Sequence, residues 1–424
     1  MNYPDSVHFL YALGNEIKTA KFGLERIGTV LDALGRPQDE LRIVHVAGTN
    51  GKGSTCALIE SALRLTGSTG LFTSPHLSQP TERIQVNGSP VSEDRFTGAF
   101  DRVHAAVEEL LEAGKIDFHT TYFETVTAMS FVIFAEERVD RVVLEVGLGG
   151  RLDATNVVQP ELCVITPIDF DHEAYLGKSL ESIAAEKAGI LKAGVPAVFT
   201  RQRPAAEAVL SRRAADLQVP VTRTRDWKIS ELELDARGSR FQLSRDQTLS
   251  IACPLAGEHQ VENAATAAVS LFQLGIPAAA IETGIANARW PGRLERVSES
   301  PEIILDGAHN PAGARALAAY IGRFYRGRDI AIIFGAMRDK AIEEIAGVLF
   351  PLARRVILTA PEQSRAMTPE AVREVAGDRS LPIAHTLREA LAMASDAEVT
   401  FVTGSLYLVA EARELLSTST PFRK

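Results

Sequence analysis

Short apolar runs that do not alternate, the first followed by glycine punctuation and a helical stretch, constrain this chain more than any other feature. Residues 42–48, 142–147, 162–168 and 197–200 are continuous in this way, as strands covered on both faces must be. Residues 52–65 between them carry helical periodicity, and 121–138 read as a helix apolar on most of its surface and therefore buried. Such alternation predicts an α/β fold with a mostly parallel sheet.

Residues 228–254 break the pattern. Ile229, Leu232 and Leu234, then Phe241, Leu243, Leu249 and Ile251, alternate around a turn at 235–239. This predicts a small antiparallel sheet attached to the first domain. Helical patterns follow at 259–274 and 278–288, and Arg289-Trp290-Pro291-Gly292-Arg293 breaks the second, an expected hinge. Strands at 303–305, 330–334, 355–358 and 399–402 then predict a second α/β domain of ordinary size. The expected domains are 1–293 and 294–424.

Composition narrows the function classes. With 46% hydrophobic and 23% charged residues the chain is not mainly disordered, and a net charge of −9 argues against nonspecific nucleic-acid binding. Cys56, Cys163 and Cys253 are too scattered for a disulfide scaffold. No secretory signal opens the sequence and no run approaches the roughly 20 apolar residues of a membrane span. A cytoplasmic enzyme is expected, without nucleic-acid or membrane partners.

The strongest motif is His45-Val46-Ala47-Gly48-Thr49-Asn50-Gly51-Lys52-Gly53-Ser54. A strand enters a glycine-rich turn, and a lysine and hydroxyl residues open a helix. Backbone N–H groups and the helix N-terminus would capture phosphates, with Lys52 reaching the outer ones. The spacing is shorter than a Walker A loop, and Gly53 stands where Ser or Thr normally follows the lysine. The competing reading is an ordinary turn with a helix cap at Ser54.

Other candidates sit at strand ends, where α/β sites gather. In Thr73-Ser74-Pro75-His76-Leu77, Ser74 can offer an oxygen to Mg²⁺, although a serine before proline is more often a turn. Glu145 lies inside an apolar strand, where a carboxylate needs an ion-pair partner or a metal. His172, in Asp169-Phe170-Asp171-His172-Glu173, can be a metal ligand, a general base or a helix cap. Lys187, by spacing alone, reads as a solvated charge at a helix C-terminus. In Asp306-Gly307-Ala308-His309-Asn310-Pro311, Asn310 can cap a helix begun by Pro311, while Asp306 and His309 point to a second catalytic edge. Thr403-Gly404-Ser405-Leu406-Tyr407 ends the last strand similarly.

In order and spacing these residues resemble the folylpolyglutamate synthase/dihydrofolate synthase family, ATP-dependent ligases related to the muramyl-peptide ligases. The resemblance covers nearly the whole chain: 48–54, 73–77 with Glu82-Arg83-Ile84, Tyr122-Phe123-Glu124, 145–156, Asp171-His172, Glu186-Lys187-Ala188-Gly189, 257–263, 290–293 and 306–311. It implies an N-terminal P-loop-type ATPase domain and a C-terminal Rossmann-like domain. Carried over residue by residue, Asn50, Gly51, Lys52, Gly53 and Ser54 would hold the ATP phosphates. Ser74, Glu145 and His172 would be the Mg²⁺ positions, with two ions expected. Lys187 matches a lysine that becomes carbamylated. Asn263, Arg293 and Asp306 would complete the ATP site from beyond the hinge. Phe22, Gly23, Thr121, Leu152, Asp153 and Ala154 would surround the pterin, with Asp153 contacting the ring. His309 and Ser405 would contact the incoming glutamate. Lys52, Lys187 and His309 are the expected catalytic groups.

The implied reaction joins L-glutamate to dihydropteroate or to the tail of a reduced folate through an acyl phosphate. The run Arg151-Leu152-Asp153-Ala154-Thr155-Asn156 resembles the bifunctional bacterial enzymes, so both activities are expected, from a monomer. A muramyl-peptide ligase is the nearest alternative, but those generally carry a nucleotide-sugar domain before the ATP loop, and 47 residues precede Gly48. A nucleotide-binding module with a degenerate site is the non-enzymatic alternative; the matching acidic, histidine and hinge positions count against it.

Overall fold

The computed structural model describes residues 1–14 and 23–418, so Phe22 lies outside the described residues. Eight strands form the first sheet, in the order Ser89–Pro90, Ile84–Val86, Thr69–Phe72, Arg141–Glu145, Ile43–Ala47, Leu162–Ile165, Ala197–Phe199 and Val221–Arg223. The last six of these run parallel, and an antiparallel hairpin finishes the other edge. The continuous apolar runs have the predicted cause. Val44, Val46 and Val143 pack on one face with helices Lys52–Leu63, Glu258–Gln273 and Ala278–Ala286. Ile43, Val142 and Leu144 pack on the other with Glu93–Glu112 and Tyr122–Glu136.

The antiparallel sheet is present, as Lys228–Asp235, Gly238–Ser244 and Thr248–Cys253. Its buried Phe241, Leu243, Leu249 and Ile251 join the first face's core. Ile229 and Leu232, expected inside, are 41% and 46% exposed. They lie on the outer strand: Leu232 falls where the register slips between Arg240 and Gln242 and has no cross-strand partner, while Ile229 pairs with buried Leu243 but sits at the open edge of the sheet.

A third sheet has the order Glu295–Glu299, Glu302–Leu305, Val399–Thr403, Ile330–Phe334 and Arg355–Leu358, parallel except for its first strand. That first strand has no buried residue, so no apolar signal marked it in the sequence. Helices Pro311–Phe324 and Ile342–Leu349 cover one face. Leu387–Met393 and Leu406–Thr418 cover the other. No helix among the described residues is long and apolar enough to cross a membrane.

Parallel strands deliver their following loops to one sheet end. The first sheet gathers the segments after Ala47, Phe72, Glu145 and Ile165, and the third gathers those after Leu305, Phe334 and Thr403. The two sets meet, since Asn310 Nδ2 donates to both Asn50 Oδ1 and Asp171 Oδ2 at 3.0 Å.

Candidate functional site

Helix Lys52–Leu63 begins directly behind the glycine-rich turn, with Gly51 as its N-cap at φ 81°. A side chain at Gly51 would be strained, and its Cβ would lie 2.3 Å from Asn263 Oδ1. Asn263 is held in turn, donating from Nδ2 to Gln260 Oε1 at 2.9 Å. Ser54 is not the cap expected in the competing reading. It lies inside the first turn, where its hydroxyl accepts from Gln260 Nε2 at 3.2 Å. Gly53 faces Trp290, and a Cβ there would come within 2.9 Å of the indole. That contact explains why the usual hydroxyl residue is missing after the lysine. Lys52 Nζ folds back to the carbonyls of Gly48 and Thr49, at 3.2 and 3.3 Å.

This loop walls a cavity of about 440 Å³ shared with Ser74, Glu145, His172, Lys187, Asn263, Arg293, Asp306 and His309. Glu145 ends its strand buried, and its one hydrogen bond among the described residues comes from the Ser74 N–H at 3.1 Å. Among those residues it has no ion-pair partner, so the salt-bridge alternative has no support. Burial pushes its carboxyl pKa up, opposed by Lys52, the Ser74 N–H and Arg293. His172 sits at the N-cap of helix Glu173–Leu176 at φ 52°, but its side chain makes no capping bond. A histidine held in the left-handed region is a mark of a constrained site. Burial lowers its pKa to about 4, against the pull of Asp171, which leaves a neutral imidazole.

Lys187 is not the solvated lysine that its position at a helix end predicted. Arg151 N donates to Glu186 O at 2.8 Å, tying the end of helix Leu180–Lys187 to the loop after Glu145 and turning Lys187 inward. The side chain is 4% exposed, and Nζ donates to Gly48 O at 2.8 Å. Burial, with Lys52 sharing that same carbonyl, lowers its pKa to about 7.

A second cavity, of about 230 Å³, is lined by Gly23, Thr121, Leu152, Asp153, Ala154 and Ser405. Ser74, His172 and His309 belong to both cavities. Every site residue expected from the sequence, Phe22 apart, therefore lines one of two adjoining spaces. The residues assigned to ATP fall in the first and those assigned around the pterin in the second. Asp153 has local duties that spacing did not reveal. It is the N-cap of the turn Ala154–Val157, its Oδ1 accepting from Thr155 N at 3.0 Å. Its Oδ2 accepts from Leu148 N at 2.8 Å. Thr121 caps helix Tyr122–Glu136 in a reciprocal pair with Glu124, which is why its side chain is fixed at the cavity wall.

Comparison with known proteins decides the family. Residues 46–271 match the Mur ligase middle domain, and 292–406 match the Mur ligase glutamate ligase domain. A dihydrofolate synthase/folylpolyglutamate synthase of Bacillus subtilis is 36% identical over 93% of this chain and 95% of its own length. The structure of Mycobacterium tuberculosis folylpolyglutamate synthase complexed with ADP superposes with a TM-score of 0.92 at 33% identity, covering 98% of both chains. That of Escherichia coli FolC in complex with DHPP and ADP gives 0.88 at 32% identity, over 99% of this chain and 98% of that one. The chain belongs to the folylpolyglutamate synthase/dihydrofolate synthase family of Mur ligases.

In this family member the two lobes are joined at the site by charges as well as by Asn310. Lys340, after strand Ile330–Phe334, pairs with Asp171 Oδ1 at 2.9 Å, both side chains nearly buried. Burial opposes the charged form of Asp171, yet Lys340, His172 and His309 together hold its carboxyl well below the ordinary range. His309 Nδ1 faces Gly307 O at 2.8 Å and Nε2 lies 3.7 Å from Asp171; burial and Lys340 lower its pKa to about 4. Asp306 accepts from Leu294 N and Ala308 N, both at 3.0 Å. Burial raises its pKa while Arg293 opposes the rise. Sequence reasoning missed Lys340, Arg365 and the buried pair Arg26–Glu124 at 2.6 Å, all at the second cavity. Only the position of Lys340 beyond a strand end could have flagged it.

Proposed function

We propose that the protein is an ATP-dependent amide ligase that adds L-glutamate to dihydropteroate and to reduced folates, with ATP bound at the glycine-rich loop. One observation carries this reading. The cavity under the loop and the cavity beside Thr121, Leu152 and Ala154 share a wall at Ser74, His172 and His309, so a carboxylate in one can reach a terminal phosphate in the other. The family relatives supply the substrate classes, and DHPP and ADP are what the Escherichia coli structure holds.

The residues then divide the work. Backbone N–H groups of the loop and the start of helix Lys52–Leu63 hold phosphate oxygens, and Lys52 swings from its own loop carbonyls onto the outer phosphate. The substrate carboxylate displaces ADP from the γ-phosphorus, and the glutamate amine displaces phosphate from the resulting acyl phosphate. Positioning and charge neutralisation account for most of the rate, and the contacts of Asn310 and Lys340 across the lobes keep water from the intermediate. Arg365, on the second lobe's side of the folate cavity, suits a glutamate carboxylate beside Ser405 and His309.

Mg²⁺ fits the residues present, because among the described residues Glu145 is a buried carboxylate with a single N–H partner and no ion pair. Ser74, Glu145 and His172 would hold the ion, which when bound neutralises phosphate charge. Lys187 would be a carbamate. Its neutral amine adds to CO₂, forming a C–N bond and releasing one proton, and the product carries two oxygens suited to Mg²⁺. The test is ATP turnover measured separately with dihydropteroate and with tetrahydrofolate, each with glutamate. Glutamate-dependent phosphate release is expected with both, and release with neither would refute the proposal.

A further inference from the structure

Outside the walls of both cavities, three side chains converge whose chemistry the ligase reaction does not use. His104 and Glu108 are one turn apart on helix Glu93–Glu112 and so share a face. His119 reaches them from the segment that leads into helix Tyr122–Glu136. His104 Nδ1 lies 3.7 Å from Glu108 Oε1, and His119 Nε2 lies 3.8 Å from the same oxygen. The three ligand atoms all fall within 4.8 Å of one another. Neither distance is a hydrogen bond. His104 Nδ1 and His119 Nε2 are buried without a hydrogen-bond partner among the described residues, an arrangement that costs stability unless something completes it. His119 Nδ1 faces the Thr120 carbonyl at 3.0 Å. The Thr120 hydroxyl lies 3.2 Å from the same nitrogen; in the tautomer in which Nδ1 donates to the carbonyl, Nε2 presents its lone pair. Metal-bound imidazoles are tied to backbone oxygen through their other nitrogen in just this way. Phe9 packs on both rings, with centroids 4.7 and 5.5 Å away, which holds their orientation.

We propose that His104, Glu108 and His119 form a binding site for a divalent transition metal, with Zn²⁺ as its occupant and water in the fourth position. A set in which imidazoles outnumber oxygen donors, two to one here, suits zinc, whereas Mg²⁺ and Ca²⁺ favour sets made mostly of oxygen. Tetrahedral bonds of about 2.0–2.1 Å place ligand atoms about 3.3 Å apart. The two separations from Glu108, 3.7 and 3.8 Å, therefore need to contract by about half an ångström, and the imidazole–imidazole separation, within 4.8 Å, by at most about 1.5 Å. Glu108 is half exposed, so the ion has an approach and water has room. The ion would cross-link the helix to the segment two residues before Thr121, so it would act as a staple beside the folate cavity and take no part in the chemistry.

The experiment is a Zn²⁺ titration by calorimetry of the chelator-treated, full-length protein, its Glu108→Gln and His119→Ala variants, and His172→Ala as a control for the ligase site. Wild type and His172→Ala should bind one equivalent that Glu108→Gln weakens at least tenfold and His119→Ala removes. Zn²⁺ should raise the melting temperature of wild type by a few degrees and that of His119→Ala by none. Should His119→Ala fail to fold, Glu108→Gln alters only a half-exposed side chain and still decides. Absence of zinc binding in wild type, or equal binding in wild type and Glu108→Gln, would overturn the proposal.

Discussion

Replacing Lys187 by Met should stabilise the unliganded protein while abolishing its turnover. The amine is 4% exposed and among the described residues has one acceptor, Gly48 O, which Lys52 also uses. Its pKa falls from 10.5 to about 7, burial first and Lys52 second. At about 1.36 kcal/mol per unit, the cost of that buried amine at neutral pH is about 4–5 kcal/mol. The hydrogen bond to Gly48 returns about 1 kcal/mol, so a net gain of a few kcal/mol is expected from methionine. The sign with pH follows from proton counts. The unfolded lysine keeps its proton up to about 10.5 and the folded one loses it near 7. Stability of the wild type should therefore rise as pH climbs between those values, with the full penalty present below them. Thermal melts in CO₂-depleted buffer from pH 6 to 9.5 test this. Lys187→Met should melt higher at the acid end, and the gap should narrow with rising pH. At pH 7 the depressed pKa also raises the neutral fraction about a thousandfold over an ordinary lysine, which is what carbamate formation requires. Parallel pH profiles for the two proteins, or a fully active Lys187→Arg, would refute the reasoning.

Other substitutions probe the remaining walls. Glu145→Gln should lose turnover at all ordinary Mg²⁺ concentrations and melt no lower than wild type, since the amide keeps an acceptor for Ser74 N–H without a buried charge; retained activity would remove Glu145 from the metal site. Asp153→Ala strands the N–H groups of half-buried Leu148 and buried Thr155, at about 1–3 kcal/mol for the buried one and less for the other. It should lower the melting temperature and impair the dihydropteroate and folate reactions alike, and a loss confined to dihydropteroate would show direct pterin contact to be its main role. Gly53→Ser restores the familiar loop residue but pushes a Cβ against Trp290. The expected result is about 1–3 kcal/mol of destabilisation and a raised KM for ATP, and an unchanged KM would show that the indole moves aside freely.

Much of this protein was legible in its sequence because the relevant signals are local. Ile330–Phe334 and Arg355–Leu358 are strands exactly where continuous apolar runs predicted them. The glycine turn, the acidic strand end at Glu145 and the Asp306–Pro311 junction announced a site because residues beyond parallel strand ends collect on one edge. The half-buried strands Val221–Arg223 and Glu295–Glu299 gave no such sign, since a strand without a buried face has no hydrophobic pattern to read.

The character of individual polar groups lay beyond the sequence. Lys187 is a surface lysine by spacing and a buried, weakly basic amine in the fold, because its acceptor is a carbonyl 139 residues away. Asp171 owes its low pKa first of all to Lys340, 169 residues further on. Gly53 is explained by Trp290, and the meeting of His119 with His104 and Glu108 by a helix and a loop packed on Phe9. Backbone propensity and hydrophobic period act over a few residues, so the sequence by itself determined the strands, the helices and the edge on which the site would form. Burial and charge act through space, and only the tertiary structure decided which side chains lose water, which face one another and therefore which protons they hold.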